Sequence, residues 1–224
     1  MNESLQQTVI IISACITLCH ACICPLPILC PQPPSPPETC TCGVANRATR
    51  IIGGTETEVN EYPWQVGLVY PGYPGSDGIT PWCGGSIIST QHILTAAHCT
   101  QEPLSSYLQV SLGEHDTTDA AADIRTVSRI TNHPQFNPDN GLNNIAILTL
   151  SSPLTFSRAM SPVCLPADPS LSYAGATATV TGWGRTSPNP EGPLADSLQE
   201  VELTVLSNED CRNSFSDATK PIEE

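Results

Sequence analysis

A histidine that lies close to two cysteines is the first feature of this sequence that could do chemistry. His98 belongs to the segment TAAHC at 95–99, and Cys83 begins the segment CGGS at 83–86. A neutral imidazole can take the proton of a serine hydroxyl, which is a weak nucleophile without such a base. Two cysteines and a histidine are also zinc ligands, but no further closely spaced histidine or cysteine would complete the site. These residues leave two interpretations of His98 open, a general base and an ordinary surface histidine.

Three further motifs accompany these two in a fixed order. RIIGG occupies 50–54, NNIAIL occupies 143–148 and TGWG occupies 181–184. The whole series resembles the trypsin/chymotrypsin family of serine proteases, from about Cys42 to about Cys211. It is specific for the family but carries no information about a particular substrate. The resemblance implies two antiparallel β-barrels with an active site between them.

The resemblance gives roles to residues of the TAAHC and RIIGG motifs. His98 takes the position of the general base. Arg50 and Ile51 flank the activation bond, which a trypsin-like protease would cut. In the family, the ammonium freed on the new N-terminal residue pairs with an aspartate beside the nucleophilic serine and orders the oxyanion hole.

The resemblance also implies two disulfides. One joins Cys83 to Cys99 and pins the histidine loop. The other joins Cys42 to Cys164 and keeps the propeptide attached after activation, with Cys40 as a competing partner for Cys164. Cys211 has no family partner in this sequence and is expected to be a free thiol.

The sequence departs from the family at the catalytic acid. Asn144 stands immediately before Ile145, where the family has an aspartate. A carboxylate at that position accepts the imidazole N–H and stabilises the imidazolium, and the same change to an amide in a related protease lowers turnover by about 10⁴. Asp139 lies in the turn NPDNG at 137–141 and is not expected to replace the missing acid.

A second departure concerns the nucleophile. No Gly-Asp-Ser-Gly-Gly segment occurs up to Glu224, and Ser86 matches a structural strand of the family. The nucleophile, the oxyanion hole and the specificity pocket are therefore not expected in this chain, and we predict that it is inactive as given. An incomplete serine endopeptidase and a non-catalytic serine protease homologue with a binding or regulatory role both fit these departures.

Short apolar stretches separated by Gly, Pro, Asn and Asp predict an all-β protein without long helices. The strand candidates are Gln65–Tyr70, Gly85–Ser89, Tyr107–Leu112, Ile145–Leu150, Ala176–Thr181 and Gln199–Val205. In the last stretch, Val201, Leu203 and Val205 alternate with Glu200, Glu202 and Thr204, which predicts one apolar and one solvated face. With the resemblance, the fold class is a trypsin-like double antiparallel β-barrel within 51–224. The first barrel is complete over about 51–165, and the second is partial over about 166–224.

The N-terminal part of the chain has a different composition. Thr8–Leu18 is an apolar run, and we predict a signal peptide at 1–21 and a Pro-rich propeptide at 22–50. Eleven cysteines indicate an oxidising compartment, so the protein is predicted to be secreted. A signal anchor is the alternative, and it would tether the domain to a membrane. Pro25 and Pro27 interrupt the span of about 20 residues that an anchor needs.

The charge of the chain restricts its partners. Its net charge is -14, and Lys220 is the only lysine, which argues against nucleic acid and anionic membrane. The expected partners are a protein or peptide substrate or ligand and an activating trypsin-like protease at Arg50. No cofactor is expected. Glu114 resembles the start of the family's calcium loop, with Asp119 and Asp123 following, and calcium is a minor alternative there.

Overall fold

The computed structural model describes residues 41–47, 55–118, 123–168, 170–187 and 192–214. The predicted signal peptide, most of the predicted propeptide and the Arg50–Ile51 bond lie outside these ranges and stay predictions. The strands are β1 (Thr55–Glu56), β2 (Gln65–Val69), β3 (Cys83–Ile87), β4 (His92–Thr95), β5 (Gln109–Leu112), β6 (Asp123–Asn132), β7 (Ala146–Leu150), β8 (Thr177–Gly182) and β9 (Gln199–Thr204). The helices within the described ranges are two 3₁₀ turns (Ala97–Thr100 and Leu104–Tyr107) and α1 (Asn208–Ser214). Each described helix is too short to span a lipid bilayer.

Strands β2 to β7 form a closed antiparallel barrel in the order β2-β3-β4-β7-β6-β5. Pairing of β2 with β5 closes the barrel, and it places Val66 opposite Leu112 and Leu68 opposite Val110. These four side chains are almost completely buried and form the barrel interior with Ile87, Ile93, Leu148 and Leu150. Closure leaves no free sheet edge in this part of the chain, which stabilises a domain made mainly of strands. The prediction of an all-β fold with a complete first barrel is confirmed.

A three-stranded sheet has the order β1-β9-β8, and it combines β8 and β9 from the region predicted as a partial second barrel with β1, which precedes the barrel strands. Hydrogen bonds join it to the barrel: the backbone N–H of Leu198 donates to the carbonyl of His115 at 2.8 Å. The indole N–H of Trp183, from the TGWG motif, donates to the same carbonyl at 3.0 Å. Because Trp183 is buried, this bond satisfies the only polar atom of its side chain and ties the end of β8 to the segment that follows β5.

The strand candidates from the sequence did not include β1, β4 or β6, and α1 was not predicted. Strand β6 is the longest of the described strands, with ten residues, yet each of them is exposed or only half-buried. A strand that buries no side chain completely produces no clear apolar alternation, so the pattern did not indicate it. Helix α1 has seven residues, too few to establish a helical period.

The predicted faces of β9 were wrong. Glu200 was assigned to the solvated face but is buried, whereas Leu203 was assigned to the apolar face and is 47% exposed. The reason is electrostatic, because the carboxylate of Glu200 accepts hydrogen bonds from Tyr62 and from Arg47. A paired carboxylate can be buried where an isolated one could not.

The segment 41–47 lies against the barrel and is attached there by the Cys42–Cys164 disulfide. Gly43 has a φ of +66°, and a Cβ atom there would lie 2.9 Å from the sulfur of Cys164. Its N–H donates to the carbonyl of Pro162 at 2.8 Å. Only glycine combines this left-handed backbone with so close an approach to the disulfide.

We therefore expect Gly43→Ala to destabilise the oxidised protein more than Gly141→Ala. Both glycines have positive φ, but a Cβ atom at Gly141 would have no neighbour within 4 Å. Gly141→Ala should cost about 1–2 kcal/mol for the left-handed backbone alone. Gly43→Ala should cost about 1–3 kcal/mol more, because its methyl group overlaps the sulfur. Equilibrium unfolding in urea measures both values, and equal losses would contradict the role of the disulfide contact.

Candidate active site

Two neighbouring strands bring His98 and Asn144 together, although they are 46 residues apart. Strand β4 pairs with β7 so that Thr95 lies opposite Ala146. His98 follows the end of β4, and Asn144 precedes the start of β7. In an antiparallel pair the end of one strand lies beside the start of the other. The pairing register of β4 and β7 therefore places His98 and Asn144 next to each other.

The turn that carries His98 is held from several sides. The buried hydroxyl of Thr95 donates to the carbonyl of Gly84 at 2.8 Å. The hydroxyl of Tyr70 donates to the carbonyl of Cys99 at 2.8 Å. Burial raises the pKa of Tyr70, so its hydroxyl stays protonated and remains a donor. These bonds fix the backbone on both sides of the histidine.

The Cys83–Cys99 disulfide joins the histidine turn to β3. Gly85, in the same CGGS segment, allows β3 to pack closely, because a Cβ atom there would lie 2.9 Å from Cγ2 of Ile93. The two disulfides in the described part of the chain are the pairs that the family resemblance implies. Since Cys164 is bonded to Cys42, the alternative partner Cys40 does not apply.

Asn144 contacts His98 through both ends of its amide. Its Oδ1 accepts the backbone N–H of His98 at 2.8 Å, and its Nδ2 lies 2.8 Å from Nδ1 of the imidazole. Because a backbone N–H can only donate, the amide oxygen must face it and the NH₂ group must face the ring. This chemical constraint determines the orientation of the amide, which the shape of the side chain alone would leave open.

The amide orientation determines the tautomer of His98. The NH₂ group of Asn144 donates to Nδ1, so Nδ1 is the acceptor and the proton of the neutral ring is on Nε2. Nε2 lies 3.3 Å from the sulfur of Cys99, where an N–H can make a weak hydrogen bond. A general base for a serine needs the opposite tautomer, with a proton on Nδ1 and a free Nε2.

The same sulfurs exclude zinc binding at this site. Sγ atoms of Cys83 and Cys99 and the His98 ring nitrogens lie close enough to form a cluster of potential metal ligands. Zinc is bound by thiolates, however, and the disulfide consumes both thiols.

Other residues singled out in the sequence lie elsewhere or outside the described ranges. The carboxylate of Glu114 accepts the hydroxyl of Ser111 at 2.6 Å. Asp119 lies outside the described ranges, so the minor alternative of a calcium site is not tested. Asp139 is exposed in its turn. Among the described cysteines, Cys211 has no disulfide partner.

The sequence did not indicate that Arg47, Glu61, Tyr62 and Glu200 form one buried polar cluster. Arg47 and Glu200 are 153 residues apart, and no local spacing marks such a pair. Nor was there a signal for Tyr70, whose contact with the histidine turn depends on the barrel register.

Comparison with known proteins agrees with this geometry. The family model described as Trypsin matches residues 51–223. A venom serine protease of Polistes dominula is 38% identical over 189 residues, which are 81% of this chain and 64% of that protein. Serine proteinase stubble of Drosophila melanogaster is 36% identical over 78% of this chain and 22% of its own length. The proclotting enzyme of Tachypleus tridentatus is 36% identical over 82% of this chain and 50% of its own length.

A closed antiparallel barrel with a histidine and an amide at the ends of paired strands, together with this match, defines the class. The chain belongs to the trypsin family of serine proteases. It spans between 22% and 64% of the length of these three relatives.

We expect Asn144→Asp to move the imidazole proton of His98 from Nε2 to Nδ1, because both carboxylate oxygens can only accept. Long-range ¹H–¹⁵N spectra of protein labelled in its five histidines distinguish the two tautomers, and His98→Gln assigns the signal. Asn143→Asp is the matched control, since it adds the same charge one residue away, where the side chain donates to Gln135. A native protein with a protonated Nδ1 would contradict the amide orientation.

Proposed function

We propose that this chain is the protease-like domain of a secreted trypsin-family protein that is processed after Arg50 and recognises protein or peptide ligands. We further propose that the domain does not hydrolyse them efficiently. The observation that carries the proposal is the amide of Asn144 beside His98, with its NH₂ group toward Nδ1.

The amide weakens the site in two ways. It holds the neutral ring in the tautomer whose Nε2 carries a proton, so Nε2 cannot accept the proton of an attacking hydroxyl. It also supplies no negative charge to the imidazolium that forms during attack, where a buried carboxylate would stabilise it. By analogy with the same change in a related protease, the expected loss in turnover is about 10⁴.

An extracellular location is supported by covalent chemistry. The two disulfides of the described residues persist in an oxidising compartment and would be reduced in the cytosol. Relatives named venom serine protease and proclotting enzyme support the same compartment.

A non-catalytic homologue with a binding or regulatory role is the second candidate, and Asn144 favours it. The amide is accommodated with a hydrogen-bond partner at each end, as its oxygen and its nitrogen each have one at 2.8 Å. The contacts of this position are therefore satisfied by an amide, and the barrel fold does not depend on an activated histidine.

Fluorophosphonate labelling tests the proposal, since the probe reacts only with an activated serine. Protein 1–224 is cut after Arg50 with immobilised trypsin, which is then removed, and active trypsin serves as the positive control. We expect no labelling and no hydrolysis of a peptide ester, because neither an activated histidine nor a GDSGG segment is present in these residues.

Asn144→Asp, treated in the same way, separates the two causes of inactivity. Labelling of the variant but not of the native protein would support the amide as the cause and would refute the prediction that 1–224 lacks a nucleophile. Labelling of neither supports the prediction that 1–224 lacks a nucleophile, and the effect of the amide is then tested by the His98 tautomer alone. A titratable serine in the native protein would overturn the proposal.

A further inference from the structure

Arg47 is bound in a polar cluster that joins three separate parts of the chain. Its Nε lies 2.6 Å from Oε1 of Glu61, and its Nη2 lies 2.9 Å from Oε2 of Glu200. Nη2 also donates to the hydroxyl of Tyr62, which in turn donates to Glu200. We call these four residues the Arg47 clamp.

The clamp is shielded from water. The side chains of Glu61 and Glu200 are 5% and 8% exposed, and that of Arg47 is 21% exposed. Burial alone lowers the pKa of Arg47, but the nearby Tyr62 hydroxyl and the carboxylates of Glu200 and Glu61 outweigh this effect and raise it. Withdrawing the guanidinium would leave two buried carboxylates without their counter-charge, which is costly.

Asn46, the residue before Arg47, is also held by hydrogen bonds. The N–H of Asn46 donates to the carbonyl of Glu61 at 2.9 Å. Its side-chain amide donates to the carbonyls of Asn60 at 2.7 Å and Arg158 at 2.8 Å. The backbone leading to the Arg47–Ala48 bond is therefore held by hydrogen bonds that an approaching protease would have to break.

The sequence NRATR at 46–50 places two arginines three residues apart, and a trypsin-like protease could cut after either. We propose that the Arg47 clamp protects the Arg47–Ala48 bond and thereby directs processing to the Arg50–Ile51 bond. This deepens the proposed function, since it presumes processing after Arg50. Cleavage after Arg47 alone would leave residues 48–50 attached ahead of Ile51, so the ammonium of Ile51 would not form.

The protection follows from how a trypsin-like protease binds its substrate. It must place the arginine side chain in its own acidic pocket and align the preceding backbone as an extended strand. Arg47 reaches that state only when its guanidinium has left Glu61 and Glu200 and Asn46 has left the carbonyl of Glu61. Cleavage after Arg47 is therefore limited by the population of this locally opened state.

Limited digestion of the full chain with trypsin tests the inference. Samples taken over time are reduced, and mass spectrometry measures fragments that end at Arg47 or at Arg50. Two variants weaken the Arg47 clamp. Glu200→Gln removes one of its carboxylates. Arg47→Lys keeps a side chain that trypsin cleaves after, but an ammonium lacks the planar guanidinium that contacts Glu61 and Glu200 at once. We expect each to accelerate cleavage after residue 47 by about tenfold or more, because the opened state becomes more populated.

Glu58→Gln is the matched control, because it removes a charge from an exposed side chain three residues from Glu61 and should leave the rate at Arg47 unchanged. A synthetic peptide of residues 41–56 should be cut after both arginines. The inference is overturned if the peptide already resists cleavage after Arg47, if the native protein is cut equally fast after both arginines, or if both clamp variants match the native rate. Failure of cleavage after Arg50 in all proteins would refute the proposed processing instead, since the comparison at residue 47 stands independently.

Discussion

The backbone N–H of His98 can donate a hydrogen bond and cannot accept one, and the chemistry of the site depends on this. This N–H can donate only to the oxygen of the Asn144 amide, so the NH₂ group of the amide is directed at the imidazole. With an aspartate, both oxygens would accept and the ring would carry its proton on Nδ1. A change from oxygen to nitrogen in one side chain therefore reverses the tautomer without disturbing the backbone.

The barrel fixes the relative positions of His98 and Asn144. Pairing of Thr95 with Ala146 sets the histidine turn and Asn144 at one end of two adjacent strands. Closure through β2 and β5 prevents the strands from slipping, since a shift of one residue would turn the buried side chains outward. The Cys83–Cys99 disulfide and the Tyr70 hydroxyl then hold the turn against the barrel. A rigid scaffold of this kind keeps its geometry whether or not the site is catalytic.

Polar contacts join the barrel to the rest of the described chain. Trp183 bonds to His115, and Glu200 of β9 meets Tyr62 from the segment before β2. Arg47 completes that contact from the N-terminal side, so one guanidinium links the 41–47 segment to both the barrel and the sheet. Burying these charges is tolerable only because each has a partner, which explains why an acidic chain keeps one of its few cations there.

The sequence by itself determined the family and singled out His98 and Asn144, because short motifs carry that information locally. The strand pattern indicated the all-β class, and the complete first barrel followed from the family resemblance. It did not reveal β6, whose side chains are all partly exposed, or the burial of Glu200, because alternation reports average polarity and not the presence of a distant partner. Only the tertiary structure decided which end of the Asn144 amide faces the ring and which carboxylates surround Arg47. Both depend on groups that are far apart along the chain and meet only when the strands pair.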